Sequence, residues 1–255
     1  MGGDGTSAGA AQARRGTVRG VRASVVWDVL REVLAVRAAA GRDRLDVVDA
    51  GGGTGGFAVP LAALGHHVTV VDPNPDSLAA AERRAAEADV TIAAVQGEAG
   101  GLDSVVGEGA ADLVICHSVL EYVESPADAL ASVARVLRAD GTVSVLAASA
   151  VAAVLHRALA GRFEEARALL AGDGDAGAAG GPRRFTLAEL AALIEGAGLV
   201  PGDAHGVRIF TDLVPSVLVD ADPGAADALR SLEAAAAGHP AFREIAAQLH
   251  VLGRR

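Results

Sequence analysis

The residues with chemistry to offer cluster first at Asp49-Ala50-Gly51-Gly52-Gly53-Thr54-Gly55-Gly56. Glycines at this density let a backbone turn sharply and let a ligand approach without Cβ atoms in the way. The apolar run Leu45–Ala50 before them reads as a buried strand, and residues 57–64 after them as a helix. A helix amino terminus adds free N–H groups and a partial positive charge. A second acid, Asp72, closes the apolar run that starts at His67, 21 residues after Gly51. At the end of the next strand, a carboxylate can accept both hydroxyls of an adenosine ribose.

Two cofactors fit such a pair, and Gly51, Gly53 and Gly56 even satisfy the dinucleotide fingerprint. Three features favour S-adenosylmethionine. Asp49 precedes the first glycine by two residues, giving D-x-G-x-G-x-G through Gly55. An acid there anchors a cationic aminoacyl end, whereas beside a pyrophosphate it would repel. Gln96-Gly97-Glu98-Ala99 closes the third strand, where a polar pair can read an adenine edge. The fourth strand runs into His117-Ser118-Val119-Leu120-Glu121-Tyr122-Val123-Glu124-Ser125-Pro126. The residues themselves thus nominate Asp49, the loop glycines including Gly52, Asp72 with its neighbour Pro73, and Glu98 as a cofactor cradle.

The elements that must position these groups follow from periodicity. After the first strand and helix come strands at 67–72, 90–95, 111–118 and 142–146, with helices at 76–88 and 127–137. Strands that are apolar throughout, alternating with helices, imply a doubly wound, mostly parallel α/β sheet covered on both faces. A leading helix spans residues 18–36, where Val21, Val25, Val29 and Val33 recur at helical spacing. Later, residues 151–171 read as helical and 172–182 as a glycine-rich loop. Thr186 caps a helix over 187–196, with Glu189 completing a capping box. A strand at 206–210, a helix at 223–237 and a closing strand at 249–252 complete the pattern. Residues 1–16, Gly/Ala/Ser-rich and without periodicity, read as a disordered tail.

Composition narrows the classes. The 255 residues are 51% hydrophobic but 3% aromatic, so 58 alanines with valine and leucine must build the core. All 22 basic residues are arginine, against 32 acids, for a net charge of -10. That balance counts against DNA binding and against loose electrostatic grip on any nucleic acid. The absence of lysine beside so much alanine and glycine fits a bias toward GC-rich codons. One cysteine, Cys116, excludes a disulfide scaffold and fits a reducing cytoplasm. The longest apolar run, residues 143–155, falls short of the ~18 residues of a membrane span. No apolar segment near the start reads as a secretory signal. His66, His67 and His156 lack metal-ligand spacing.

The sequence resembles the class I S-adenosylmethionine-dependent methyltransferases through DAGGGTGG, VVD and DLVICHSVLEYV. More narrowly it is similar to the bacterial tRNA wobble 5-carboxymethoxyuridine methyltransferases, which esterify a carboxylate on the modified base. That likeness rests on Gly16-Thr17-Val18-Arg19-Gly20-Val21-Arg22 followed by Trp27, on Gly206-Val207-Arg208-Ile209-Phe210-Thr211-Asp212, and on Leu249-His250-Val251. It spans roughly residues 16 to 255 in one register. The resemblance implies a seven-stranded Rossmann-like fold. It also implies cofactor contacts from Arg22, Gly51, Gly52, Asp72, Ala99, Gly100 and His117, and places Arg208 in a substrate-side segment. Thr211 and Leu213 stand where the family has histidine and tyrosine, and the family's lysine-rich stretch is replaced by GDGDAGAAGGPRR. These departures fall on the substrate side.

Methyl transfer is an in-line displacement that needs nucleophile and methyl about 3 Å apart, aligned and free of water. A carboxylate nucleophile is already ionised at neutral pH and needs a cationic fork to hold it, which makes Arg208 the first choice for orienting the acceptor. A surface ion pair with Asp212 is the competing reading. His117, at the carboxyl end of a strand, suits cofactor contact, a base for a hydroxyl acceptor, or a purely structural role. Tyr122 is equally suited to packing and to an acceptor role, and Glu121 to fixing the local turn. The expectation is a single methyltransferase domain over 17–255, with an insertion at about 150–185 as a lid. The acceptor is a modified tRNA uridine carboxylate or, alternatively, a small acid or hydroxyl metabolite. A cofactor-binding protein without transferase activity is the third reading.

Overall fold

A computed structural model describes residues 24–172 and 182–255 of the chain. Helix α1 covers residues 24–39. There follow β1 (Asp46–Ala50), α2 (Ala58–Ala63), β2 (His67–Asp72), α3 (Pro75–Glu87), β3 (Ala93–Gln96), α4 (Leu102–Val106), β4 (Ala111–His117), α5 (Pro126–Val136) and β5 (Leu137–Ala148). The second part holds α6 (Ala150–Leu159), α7 (Phe163–Leu170), α8 (Leu187–Gly196), β6 (Val200–Val207), α9 (Ser216–Asp220), α10 (Ala225–Ala237), α11 (Pro240–Glu244) and β7 (Gln248–Arg254).

The strands form one seven-stranded sheet in the order β3-β2-β1-β4-β5-β7-β6. β7 runs antiparallel to both neighbours and the other pairings are parallel. The order reverses between β1 and β4, and ligands of open α/β sheets bind in the crevice beyond the carboxyl ends at such a point. Strand alternation sorts the side chains into two cores. Val47, Val70, Leu113 and Ile115 pack with Val26 and Leu30 of α1, Leu61 of α2 and Leu78 of α3. Val48, Val71, Val114, Val143 and Val145 face Leu102 of α4, Leu130 and Val133 of α5, and Leu190 and Ile194 of α8. Both faces of β4 are therefore buried, which explains the unbroken apolar run Leu113–Cys116 ahead of His117.

Helix starts are fixed where the strands end. Asn74 accepts from the Asp76 amide at 2.9 Å ahead of Pro75, and Ser125 does the same for Asp128 ahead of Pro126. Thr186 and Glu189 form the expected reciprocal capping box.

Several boundaries differ from those read in the sequence. The segment 151–171 divides into α6 and α7 at Gly161, whose φ is +74°. β3 starts at Ala93 rather than at residue 90, because Val90 still bonds back to Ala85 at the end of α3. β5 begins at Leu137, directly after α5. The strand expected at 206–210 instead occupies Val200–Val207, and Arg208 turns away with φ +61°. Pro201, Gly202 and Gly206 disguise this edge strand in the sequence; its pairing with β7, irregular between Pro201 and Ala204, is a tertiary decision.

Candidate active site

Glycines with positive φ at Gly51 (+66°), Gly53 (+52°) and Gly55 (+75°) shape the loop after β1. Gly51 donates to the Val71 carbonyl at 2.7 Å, which ties the loop to β2. A Cβ at Gly51 would lie 2.5 Å from Val119 Cγ2, and one at Gly52 would lie 2.5 Å from Asp49 Cγ. Gly52 is thus glycine because the Asp49 carboxyl fills the space beside it.

Asp72 is buried, and its two oxygens are divided between loops: Oδ2 accepts from Gly53 N and Oδ1 from Asn74 N, each at 2.9 Å. Each carboxylate oxygen has a further acceptor site for a hydroxyl. Asp49 is buried, with Oδ2 lacking any hydrogen-bond partner. Burial pushes its carboxyl up to about 7; the Ala58 amide opposes this and the Asp72 charge reinforces it. An acid in this condition fits a cation brought by a ligand.

A cleft of about 820 Å³ opens at this carboxyl edge, lined by Gly51, Asp72, Pro73, Glu98, Ala99 and Gly100 on one side and by Ser118, Val119, Tyr122 and the 123–125 segment on the other. Six of the nominated cofactor residues and Tyr122 therefore share one cavity. Asp49, Gly52, Gly53 and Gly55 build the loop without lining it. Gln96, one of the polar pair after the third strand, donates to the Pro73 carbonyl at 3.1 Å. Arg22 lies outside the described residues.

His117 stands behind the cleft wall. Its Nε2 is 2.7 Å from Ser144 Oγ, which is also 2.7 Å from His250 Nε2, and its ring meets Phe57 edge-on. Burial lowers His117 to about 3, so the imidazole is neutral at physiological pH. Nδ1 of both His117 and His250 has no partner. Glu121 is buried and accepts from the Ala148 amide at 2.8 Å, so it fastens the segment after β4 to the end of β5 rather than fixing a local turn.

Arg208 follows β6 at the same sheet edge. Val207 pairs with Gln248, Gln248 pairs with Ala148, and the Gln248 amide donates to Ser118 Oγ at 3.3 Å. Its guanidinium is ion-paired with Asp212, as the competing reading held, and Arg208 is not among the residues lining the cleft. Three contributors escaped sequence reasoning. Ser144 and His250 back His117 across two strands. Arg183, near the end of the insertion, donates to the Val123 and Glu124 carbonyls and so straps the cleft wall. No local pattern marks them, because their partners lie 27 to 106 residues away. Among the described residues no cluster of acids, histidines or cysteine suits a metal ion, and no helix is long and apolar enough to cross a membrane.

The sheet order, the glycine loop and the acid ending β2 give the chain the Rossmann-like fold of S-adenosylmethionine-dependent methyltransferases. Residues 48–145 match the family described as a methyltransferase domain. The chain is 32% identical over 160 residues to the tRNA 5-carboxymethoxyuridine methyltransferase of Escherichia coli, covering 60% of this chain and 58% of that protein. It is 33% identical over 98 residues to the ubiquinone biosynthesis O-methyltransferase of Rickettsia conorii, covering 38% and 33% of the two chains. The chain thus spans less than two thirds of the length of these curated relatives. The structure of magnesium protoporphyrin IX methyltransferase from Synechocystis, with bound SAH, superposes with a TM-score of 0.59 at 16% identity, over 93% of this chain and 87% of that one.

Proposed function

We propose that the chain methylates a carboxylate oxygen, with S-adenosylmethionine as donor, on a modified uridine of tRNA. When bound, the cofactor supplies an electrophilic methyl group on a sulfonium. The residues present fit it: the buried, unpartnered Asp49 suits the ammonium of its aminoacyl end, Asp72 suits the ribose, and Glu98, Ala99 and Gly100 suit the adenine end. Neutral His117 adds no positive charge beside a cationic ligand. Tyr122, exposed in the cleft wall, is the group best placed to cover an acceptor base. Helices α6 and α7 and the returning segment at 182–185, held by Ala150 N to Phe185 O at 3.0 Å, are read as the lid on that side.

A carboxylate is ionised at pH 7 and requires no general base. Its binding requires desolvation and a fixed direction, which an arginine fork provides. The observation that carries this reading is Arg208 beyond β6, at the same carboxyl edge of the sheet as the cleft though outside its lining. The likeness to the tRNA enzyme adds the acceptor class. A small-molecule hydroxyl or acid acceptor is the second reading, favoured by the likeness to ubiquinone O-methyltransferases and by the net charge of -10.

Labelled methyl transfer to bulk tRNA, compared with transfer to an extract of small metabolites, separates the two. Ribonuclease-sensitive label supports the tRNA reading; label confined to metabolites overturns it. Arg208→Ala is expected to raise the acceptor KM about tenfold or more, the order of a lost charge-assisted hydrogen bond. An unchanged KM removes the carboxylate clamp.

A further inference from the structure

Glu233, on α10, is almost wholly buried, and among the described residues no basic side chain pairs with it. Backbone instead surrounds its carboxylate. Oε2 accepts from Ile209 N at 2.9 Å, and Oε1 accepts from Phe210 N at 2.9 Å, Thr211 N at 2.7 Å and Thr211 Oγ1 at 2.6 Å. Three consecutive amides converging on one anion form a nest, a concavity that binds negative charge. Here the protein supplies the anion itself, from 22 to 24 residues away.

The residue entering this nest is Arg208, in the left-handed region at φ +61°. A non-glycine residue holds that conformation only where its surroundings impose it. Two contacts do so: Ala247 N donates to the Arg208 carbonyl at 3.3 Å, and Glu233 captures the three amides that follow. The turn aims the Arg208 side chain away from the line of β6, where it meets Asp212 and keeps a buried Nε without a partner. A side-chain pair within the loop could not fix the backbone in this way; a carboxylate on a separate helix can.

We propose that Glu233 is the positioning residue for Arg208: it captures the amides of residues 209–211 and thereby sets the direction in which the guanidinium is offered to an acidic acceptor. This rests on the reading of Arg208 as the acceptor clamp. Thr211 belongs to the same device, its hydroxyl being the fourth donor to Glu233.

The test labels arginines of the full-length chain with phenylglyoxal in the presence of S-adenosylhomocysteine and follows each site by peptide mass spectrometry. The carboxylate probes are malonate and the free nucleoside 5-carboxymethoxyuridine. Glu233→Gln replaces one accepting oxygen by a donor, Thr211→Val removes the hydroxyl, and Glu233→Ala removes all four interactions. In each variant the Arg208 labelling rate, relative to Arg183 in the same digest, is expected to rise several-fold. Protection by the probes is expected to fall by a similar factor, while S-adenosylhomocysteine affinity moves less than twofold. Glu233→Asp is expected to restore part of the protection. Unchanged Arg208 labelling in Glu233→Gln and Glu233→Ala overturns the proposal. A wild-type Arg208 whose labelling responds to Glu233 but is protected by neither probe overturns the clamp reading and leaves the positioning intact.

Discussion

Asp49 and Asp72 are the same residue type on adjacent parallel strands, yet their surroundings give them opposite work. Asp72 is held by two loop amides, whereas Asp49 is buried with one oxygen that no protein group among the described residues pairs. Since burial raises Asp49 to about 7, a bound cation must pull its proton off. S-adenosylmethionine affinity is therefore expected to rise with pH from about 5.5 to 7, approaching tenfold per unit, with proton release seen by calorimetry in buffers of different ionisation enthalpy. Asp49→Asn should bind weakly and flatten that profile. Stability without cofactor carries the opposite sign at this residue. Asp49, with its folded pKa raised, contributes stability that is full below its unfolded pKa and lost as pH rises through about 7. His117, depressed to about 3, and His250, also depressed by burial, contribute stability that is full above the ordinary histidine pKa and lost as pH falls. Removing Asp49 leaves the histidines unopposed, so Tm of Asp49→Asn should fall more steeply than wild type between pH 7 and 4. Parallel Tm profiles would contradict these assignments.

Among the elements, the loop between β1 and α2 depends most on conformation that only glycine accepts. Gly51 combines φ +66° with a Cβ position 2.5 Å from Val119 Cγ2, so alanine there is strained in backbone and in space together. Relief requires Val119 to move, and Val119 lines the cleft. Gly51→Ala is expected to weaken S-adenosylmethionine binding at least about tenfold, equivalent to ~1.4 kcal/mol, by isothermal titration. Full-affinity binding by that variant would show that the loop does not cradle the ligand. The glycine loop was legible because its requirement is local. β6 was not: Val200-Pro201-Gly202-Asp203-Ala204-His205-Gly206-Val207 has little intrinsic strand preference and is extended because β7 offers it an edge.

At the scale of the molecule, the cleft joins groups from the ends of β1, β2 and β3 to the segment after β4, so a ligand there braces the middle of the sheet. S-adenosylmethionine at a hundred times its Kd should add about 2.7 kcal/mol. For a chain of this size that corresponds to a rise in Tm of roughly 5–10 °C. Gly53→Asp, which places a second carboxylate beside Asp72, should abolish the rise. A wild-type chain that melts at the same temperature with and without the cofactor would contradict the cofactor reading.

The sequence by itself determined the alternation of strands and helices, the glycine turn, the two acids and the cap at Thr186. Each is written in residues within a few positions of one another, where backbone propensity and hydrophobic period act. Tertiary structure alone decided that His117 is backed by Ser144 and His250, that Arg183 straps the cleft wall, and that Arg208 sits on a turn held by Glu233. Those pairings join residues more than twenty positions apart, and a buried polar group reveals its partner only once the chain has closed around it.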